Sequence, residues 1–266
     1  MIKTLKPLLV LGLTLHTLTL FAGEKGKVSR VLPAGVVFPA FNDAPLVNAS
    51  SLPSQKSRAA RLGYGPRGAT ASRPDVIEGD FSASSQSIGI GFMYTGLRDP
   101  STITHGFGAG VGLGLGPAAL GLAVRDSDLS QNNNSPSVDF SLTLNQLGGG
   151  GGGGGGLNLT AVFYNMNHSA QLTAGIGVIK EKKYFLEANL GMEPFNSANS
   201  SPDNTVAVAA GVYAGPFGFS FKTAYLTQSR TYRHTLGGAI GLGESLNLSV
   251  QFDTPNDFIA RLQLAF

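Results

Sequence analysis

The chain contains no cysteine among its 266 residues. That excludes disulfide staples, thiol catalysis, thiolate metal sites and the lipidated cysteine of a lipoprotein. Tryptophan is also absent, and only 13% of the residues are charged, against about one quarter in an ordinary soluble domain. The formal charge is +3. Lys3 and Lys6 lie in a stretch that reads as a leader, so the remainder carries +1. So small an excess excludes the electrostatic footprint of a nucleic-acid binder. A transmembrane helix is lacking too. The nineteen uncharged residues from Gly106 to Val124 could pass for one, but seven are Gly and one is Pro117. Each interior Gly costs a helix about 0.8–1 kcal/mol and Pro about 3 kcal/mol. Glycine at every second position from Gly106 to Gly116 has the period of a strand, so a hairpin turning at Gly116-Pro117 is the better reading.

Residues Met1 to Gly23 read as a secretory signal: Lys3 and Lys6, an apolar stretch from Leu8 to Phe21, then the small pair Ala22-Gly23. Glu24 to Asp80 differs from all that follows. It holds eight basic and five acidic residues, six prolines, and no sustained period of 2 or 3.6. Such composition suits either a periplasmic tail or a plug folded into a lumen, with Val31 to Phe38 and Ala44 to Val47 as its apolar patches. Ser54 to Arg61 reads as one or two helical turns.

From Ser87 onward, apolar and polar residues alternate in segments separated by turn chemistry. Twelve strands are expected: Ser87 to Leu97, Ile103 to Leu115, Ala118 to Arg125, Ser137 to Leu147, Leu157 to Tyr164 and Ser169 to Ile179, then Lys183 to Met192, Thr205 to Ala214, Phe217 to Leu226, Tyr232 to Leu242, Glu244 to Asp253 and Phe258 to Phe266. Ten or fourteen are the nearest alternatives. Connections such as Gly116-Pro117, Lys180 to Lys182 and Gly215-Pro216 are tight. Those from Asp126 to Pro136 and Glu193 to Asn204 are long and rich in Asn, Ser, Asp and Pro. The glycine tract Gly148 to Gly156 reads as a flexible link, or as a continuation of the strands on either side.

The last segment alternates cleanly. Phe258, Ala260, Leu262, Leu264 and Phe266 share one face, and Ile259, Arg261, Gln263 and Ala265 share the other. This resembles the closing strand of Gram-negative outer-membrane β-barrels, whose final Phe is read by the insertion machinery. The resemblance implies an antiparallel transmembrane barrel over residues 81–266, preceded by an irregular plug or tail over 24–80 and a signal over 1–23. It implies outer-membrane lipid and the barrel-assembly machinery as partners, with Leu262, Leu264 and Phe266 as the assembly signal, and it leaves room for a homo-oligomer. Short inner turns and longer outer loops fit that orientation.

If the apolar faces meet lipid, the polar faces line a lumen. Asp139, Glu187, Lys222, Asp253, Arg261 and Gln263 are the candidate lining residues, together with inward glycines such as Gly89, Gly91, Gly108, Gly110, Gly112, Gly175 and Gly177. Both charge signs occur sparsely, so no strong ion filter is expected. The four histidines, His16, His105, His168 and His234, share no spacing for a metal. Gly65-Pro66-Arg67-Gly68 lacks the ending of a phosphate loop. Asn165, Asn167, His168 and Ser169 cluster in sequence without the geometry of a triad. The reading is a barrel without catalytic residues, metal or cofactor that passes small solutes or hydrophobic compounds, with a non-conducting structural barrel as the alternative and a lipid enzyme ranked last. A long N-terminal segment ahead of a Gly-rich barrel resembles the layout of FadL-like transporters, in which that segment forms a hatch, the barrel usually has fourteen strands, and the substrates are apolar.

Overall fold

The structure is a computed structural model that describes residues 35–39, 43–55, 58–66, 74–85, 87–126, 136–147, 155–167, 170–180, 183–192, 204–242, 245–254 and 257–265. Fourteen antiparallel strands close on themselves in sequence order. They are β1 (Arg58–Gly65), β2 (Asp75–Ser84), β3 (Ile88–Arg98), β4 (Ile103–Leu115), β5 (Ala118–Arg125), β6 (Ser137–Leu147) and β7 (Gly155–Tyr164), followed by β8 (Gln171–Lys180), β9 (Tyr184–Met192), β10 (Asn204–Ala214), β11 (Phe217–Leu226), β12 (Thr231–Leu242), β13 (Leu246–Asp253) and β14 (Asp257–Ala265). The closing pair is β1 with β14, where Leu62 faces Leu262 and Arg61 faces Gln263.

The expected count of twelve is therefore two short. Both missed strands lie largely in the stretch read as plug or tail, and β2 runs across the boundary set at residue 81. Their inward positions carry Arg61, Gly63, Glu78 and Asp80, which make the stretch look like a polar linker until those charges meet across the sheet. Ser54 to Arg61 is likewise not one helical unit. A 3-10 helix (Ala49–Gln55) precedes β1, and Arg58 to Arg61 are extended. Two added strands keep the parity of every later connection, so tight turns and long loops remain at opposite ends. The glycine tract divides: Gly155 and Gly156 belong to β7, and 148–154 lie outside the described residues.

Local chemistry explains the hairpins. The β4–β5 and β10–β11 turns are the two-residue loops Gly116-Pro117 and Gly215-Pro216, and both glycines have positive φ, 72° and 61°. A positive φ at the first loop position is what a type II′ hairpin requires, and proline's fixed negative φ suits the second. Near the β6–β7 turn the register slips between Leu144 and Leu147, a β-bulge beside the glycine tract.

Followed once around the ladder, the pairing is displaced by about 14 residues for fourteen strands. That sets a tilt of roughly 37° and a backbone-to-backbone diameter of about 25 Å. Burial is inverted relative to a soluble protein. Outward Leu62 and Leu190 are 68% and 61% exposed, whereas inward Arg125 and Glu187 are each 1% exposed. A barrel this wide leaves more space than its own side chains fill, and residues 35–39 and 43–55 occupy part of it.

Candidate functional site: the barrel lumen

The inner segment contains a single helical turn, α1 (Ala44–Val47), and the 3-10 helix, with Pro45 in the first turn and Pro53 in the second helix. Its residues Val36, Val37, Phe38, Leu46 and Leu52 are buried. What they pack on is the glycine-rich inner wall. A Cβ added to Gly108 would stand 2.5 Å from Leu46, one on Gly89 2.5 Å from Leu52, and one on Gly177 2.6 Å from Phe38. At Gly110, Gly112 and Gly121 the same atom would meet backbone: Pro45 O at 2.2 Å, Ala49 O at 2.3 Å and Ser50 N at 2.2 Å. Glycine is needed there because the segment's own main chain lies against the wall.

Polar contacts fix the segment on the β6, β7 and β9 side. The Ser50 N–H donates to Ser141 Oγ at 2.9 Å, and Asn48 Nδ2 donates to Thr143 Oγ1 at 3.2 Å. Tyr164 donates its hydroxyl to the Val47 carbonyl at 2.7 Å. The Phe38 N–H donates to Glu187 at 2.7 Å, and the Phe38 and Phe185 rings meet edge-on. Toward β1 the link is ionic as well as apolar: Arg61 Nη2 lies 2.5 Å from Asp43, its Nε donates to both oxygens of Asp80, and Ala59 joins the buried cluster of Ala44, Leu46, Ala49 and Leu52.

The sequence-named lining residues occupy this wall as follows. Asp139 is buried against Arg125, with Nε 2.8 Å from its carboxylate, and also accepts the Asn165 N–H. Glu187 holds the inner segment. Asp253 accepts from Thr235 Oγ1 and from Gln251 Nε2. Gln251 in turn accepts from Arg261, whose Nε donates to Glu78 at 2.7 Å. Gln263 is buried, and its Nε2 has no partner among the described residues. Lys222 is half-buried on β11, opposite Thr235. Thr235, Asn247, Gln251 and Asp253 are likewise half-buried on β12 and β13. Leu262 and Leu264 face outward and are exposed. Phe266 lies outside the described residues.

Sequence reasoning did not single out Asp43, Arg61, Glu78, Asp80, Arg125 or Tyr164. For Arg61, Glu78 and Asp80 the signal is an isolated charge at an inward position of an alternating strand, legible only once β1 and β2 are known to be strands. Arg125 and Tyr164 end strands that alternation places, and Asp43, ahead of the helical turn, carries no periodic signal. The other candidates do not converge. His105 accepts or donates one bond with Tyr94, and His234 lies between Phe221 and Tyr232 on the outer wall. Asn165, at φ 55°, bonds Arg125, and Asn167 bonds Pro136 and Val138. His16, His168 and Ser169 lie outside the described residues. Gly65 ends β1, and Arg67-Gly68 are also outside them. Among the described residues no group of three or more His, Asp or Glu is placed to hold a metal.

Aromatic pairs ring one end of the outer wall. Tyr94–Phe107, Tyr225–Tyr232 and Phe252–Phe258 have centroids 5.3, 5.0 and 4.9 Å apart. At the same end, Asp99 accepts the Ser101 and Thr102 N–H groups at 2.8 and 2.7 Å. Those backbone donors hold its carboxyl below the usual carboxylate range.

No protein-family model matches the sequence, and no curated protein matches it. Solved structures of engineered variants of Rhodopseudomonas blastica porin resemble the chain. One has a TM-score of 0.43 at 9% identity, covering 79% of this chain and 99% of that one. A second variant has 0.42 at 10% identity, with the same coverage. The strand count and closure rest on this chain's own ladder, a closed antiparallel β-barrel of fourteen strands.

Proposed function

We propose that this chain is an outer-membrane barrel that passes small polar solutes passively, and that residues 35–39 and 43–55 narrow or gate the passage. The observation that carries the reading is the seating of the inner segment against the glycine-rich wall. The apolar exterior, the aromatic ring at one end and the even strand count support a membrane location, since closure satisfies every strand edge in lipid. The half-buried inner residues Lys222, Thr235, Asn247, Gln251 and Asp253 are polar, which favours polar solutes. The FadL-like layout, with fourteen strands and an N-terminal hatch, instead implies apolar ones. Secretion through a signal over 1–23, insertion by the assembly machinery reading Leu262, Leu264 and Phe266, and assembly of like subunits belong to the same reading. The close packing of the segment on β3–β9 favours, as a second reading, a permanently closed structural barrel.

Solute release from vesicles tests both. The mature chain and a form lacking residues 24–55 are refolded into vesicles holding a small sugar. The truncation must stop before Arg58, because deleting as far as Asp80 would remove β1 and part of β2. Faster sugar release from the truncated form supports a gated polar passage. No release from either folded form contradicts it and leaves the structural barrel.

A further inference from the structure

The inner segment meets the wall unevenly, and the unevenness says where it parts. Against β3, β4 and β5 it is interlocked, main chain on main chain at Gly110, Gly112 and Gly121. Against β6, β7 and β9 it is held by buried hydrogen bonds that Ser141, Thr143 and Glu187 accept and by one that Tyr164 donates. Movement away from either side opens voids over glycines and leaves buried polar groups unpaired, both costly.

On the β1 side the apolar contribution is one small residue, Ala59, in the cluster of Ala44, Leu46, Ala49 and Leu52, and the specific tie is ionic. Arg61 is 3% exposed and Asp80 is fully buried, but Asp43 is 22% exposed. If Asp43 leaves, Arg61 keeps its two bonds to Asp80, and the Asp43 carboxylate turns to water. No buried charge is stranded, which is what makes breaking other buried pairs expensive. The neighbouring Arg261–Glu78 pair belongs wholly to the wall and is untouched. The half-buried polar residues Thr235, Gln251 and Asp253 lie two to three strands from β1 on the same flank of the barrel.

We propose that the Asp43–Arg61 ion pair is the latch of this gate, and that the passage opens between the inner segment and the flank of β1, β14 and β13 while contact with β3–β9 is kept. The inference rests on the reading of the lumen as a passage. It names the residue pair that holds the passage shut and the side on which it opens.

Single-channel recording of the full chain in planar bilayers tests it. Asp43→Asn keeps the shape and removes the charge, and is expected to raise the open fraction about tenfold, with Asp43→Glu restoring closure. The cysteine-free chain allows a lock on the opposite side: Ser50→Cys with Ser141→Cys. Oxidising that pair should leave openings intact, because those surfaces never part. An unchanged open fraction in Asp43→Asn overturns the proposal. So does a channel that the oxidised Ser50–Ser141 pair holds shut and reduction releases. Silence from every form, including the one lacking residues 24–55, is a different failure. It removes the passage itself, and the latch with it.

Discussion

Replacing Gly110 by alanine drives one methyl group into the inner segment. The added Cβ would stand 2.2 Å from the Pro45 carbonyl oxygen, 2.8 Å from Pro45 Cα and 2.9 Å from its carbonyl carbon. All three are backbone atoms, so no side-chain rotation relieves the clash. Ordinary van der Waals contact begins at 3.4 Å, so wall and segment must separate by about 1 Å. Strand β4 is hydrogen-bonded to β3 and β5 along its length, whereas the segment hangs on a handful of side-chain bonds. The segment gives way. Overpacking of this kind costs about 1–3 kcal/mol, which multiplies the unseated fraction by about 5- to 150-fold. Hydrogen exchange at the Leu46, Val47 and Asn48 amides, whose bonds to Asp43 and Ala44 form the turn next to Pro45, reads it directly. Gly238→Ala is the control, because Gly238 faces outward and a Cβ there meets only Val250 at 3.5 Å. Identical behaviour of the two variants, with folding verified by heat-dependent gel migration, would refute the contact between wall and segment.

Three further outcomes follow from the same geometry. Tyr164→Phe removes the donor to the half-buried Val47 carbonyl, a loss of about 1 kcal/mol; hydrogen exchange should show the Leu46, Val47 and Asn48 amides less protected while β7 is unchanged. Leu236 faces outward at the middle of β12 and is 55% exposed, so Leu236→Arg should destabilise the refolded barrel by about 2–4 kcal/mol in a urea titration, as expected for a charge at the bilayer midplane. The Asp99 carboxyl titrates below its ordinary value, so its hold on the β3–β4 turn is complete above the unfolded value of about 3.9 and is lost as pH falls through the lower folded one. Slow exchange of the Ser101 and Thr102 amides should therefore persist at neutral and mildly acid pH, and Asp99→Ala should abolish it at all pH.

The strands from β3 to β14 were legible in the sequence because one face of each is apolar over at least three alternating positions. The Ala118–Arg125 and Phe217–Leu226 strands, and the turn at Gly116-Pro117, lie where alternation places them. Strands β1 and β2 were not legible. Their inward positions hold Arg61, Glu78 and Asp80, and a charge in a short run reads as a linker until its partner is known. Arg261 and Glu78 are 183 residues apart in sequence, and no local pattern joins them. The inward glycines announced spare space, and the patches Val31 to Phe38 and Ala44 to Val47 offered a plug or a tail, but neither told which glycine meets which residue. Pro45 and Ser50 reach Gly110 and Gly121 only through the closed sheet. Tyr164 was visible only as the end of the strand from Leu157, while its bond to a carbonyl 117 residues away was not.

The absence of tryptophan permits the most direct test of the whole account. A single Trp is placed at Leu262, on the outward face of β14, or at Phe38, on the inner segment. Each protein is refolded into vesicles whose acyl chains carry bromine, which quenches indole only at contact. Strong quenching of Leu262→Trp with none for Phe38→Trp is the result expected of a lipid-facing wall around a segment held in the lumen. Equal quenching of the two would put the segment against the membrane rather than inside the barrel, and would contradict the account at its centre.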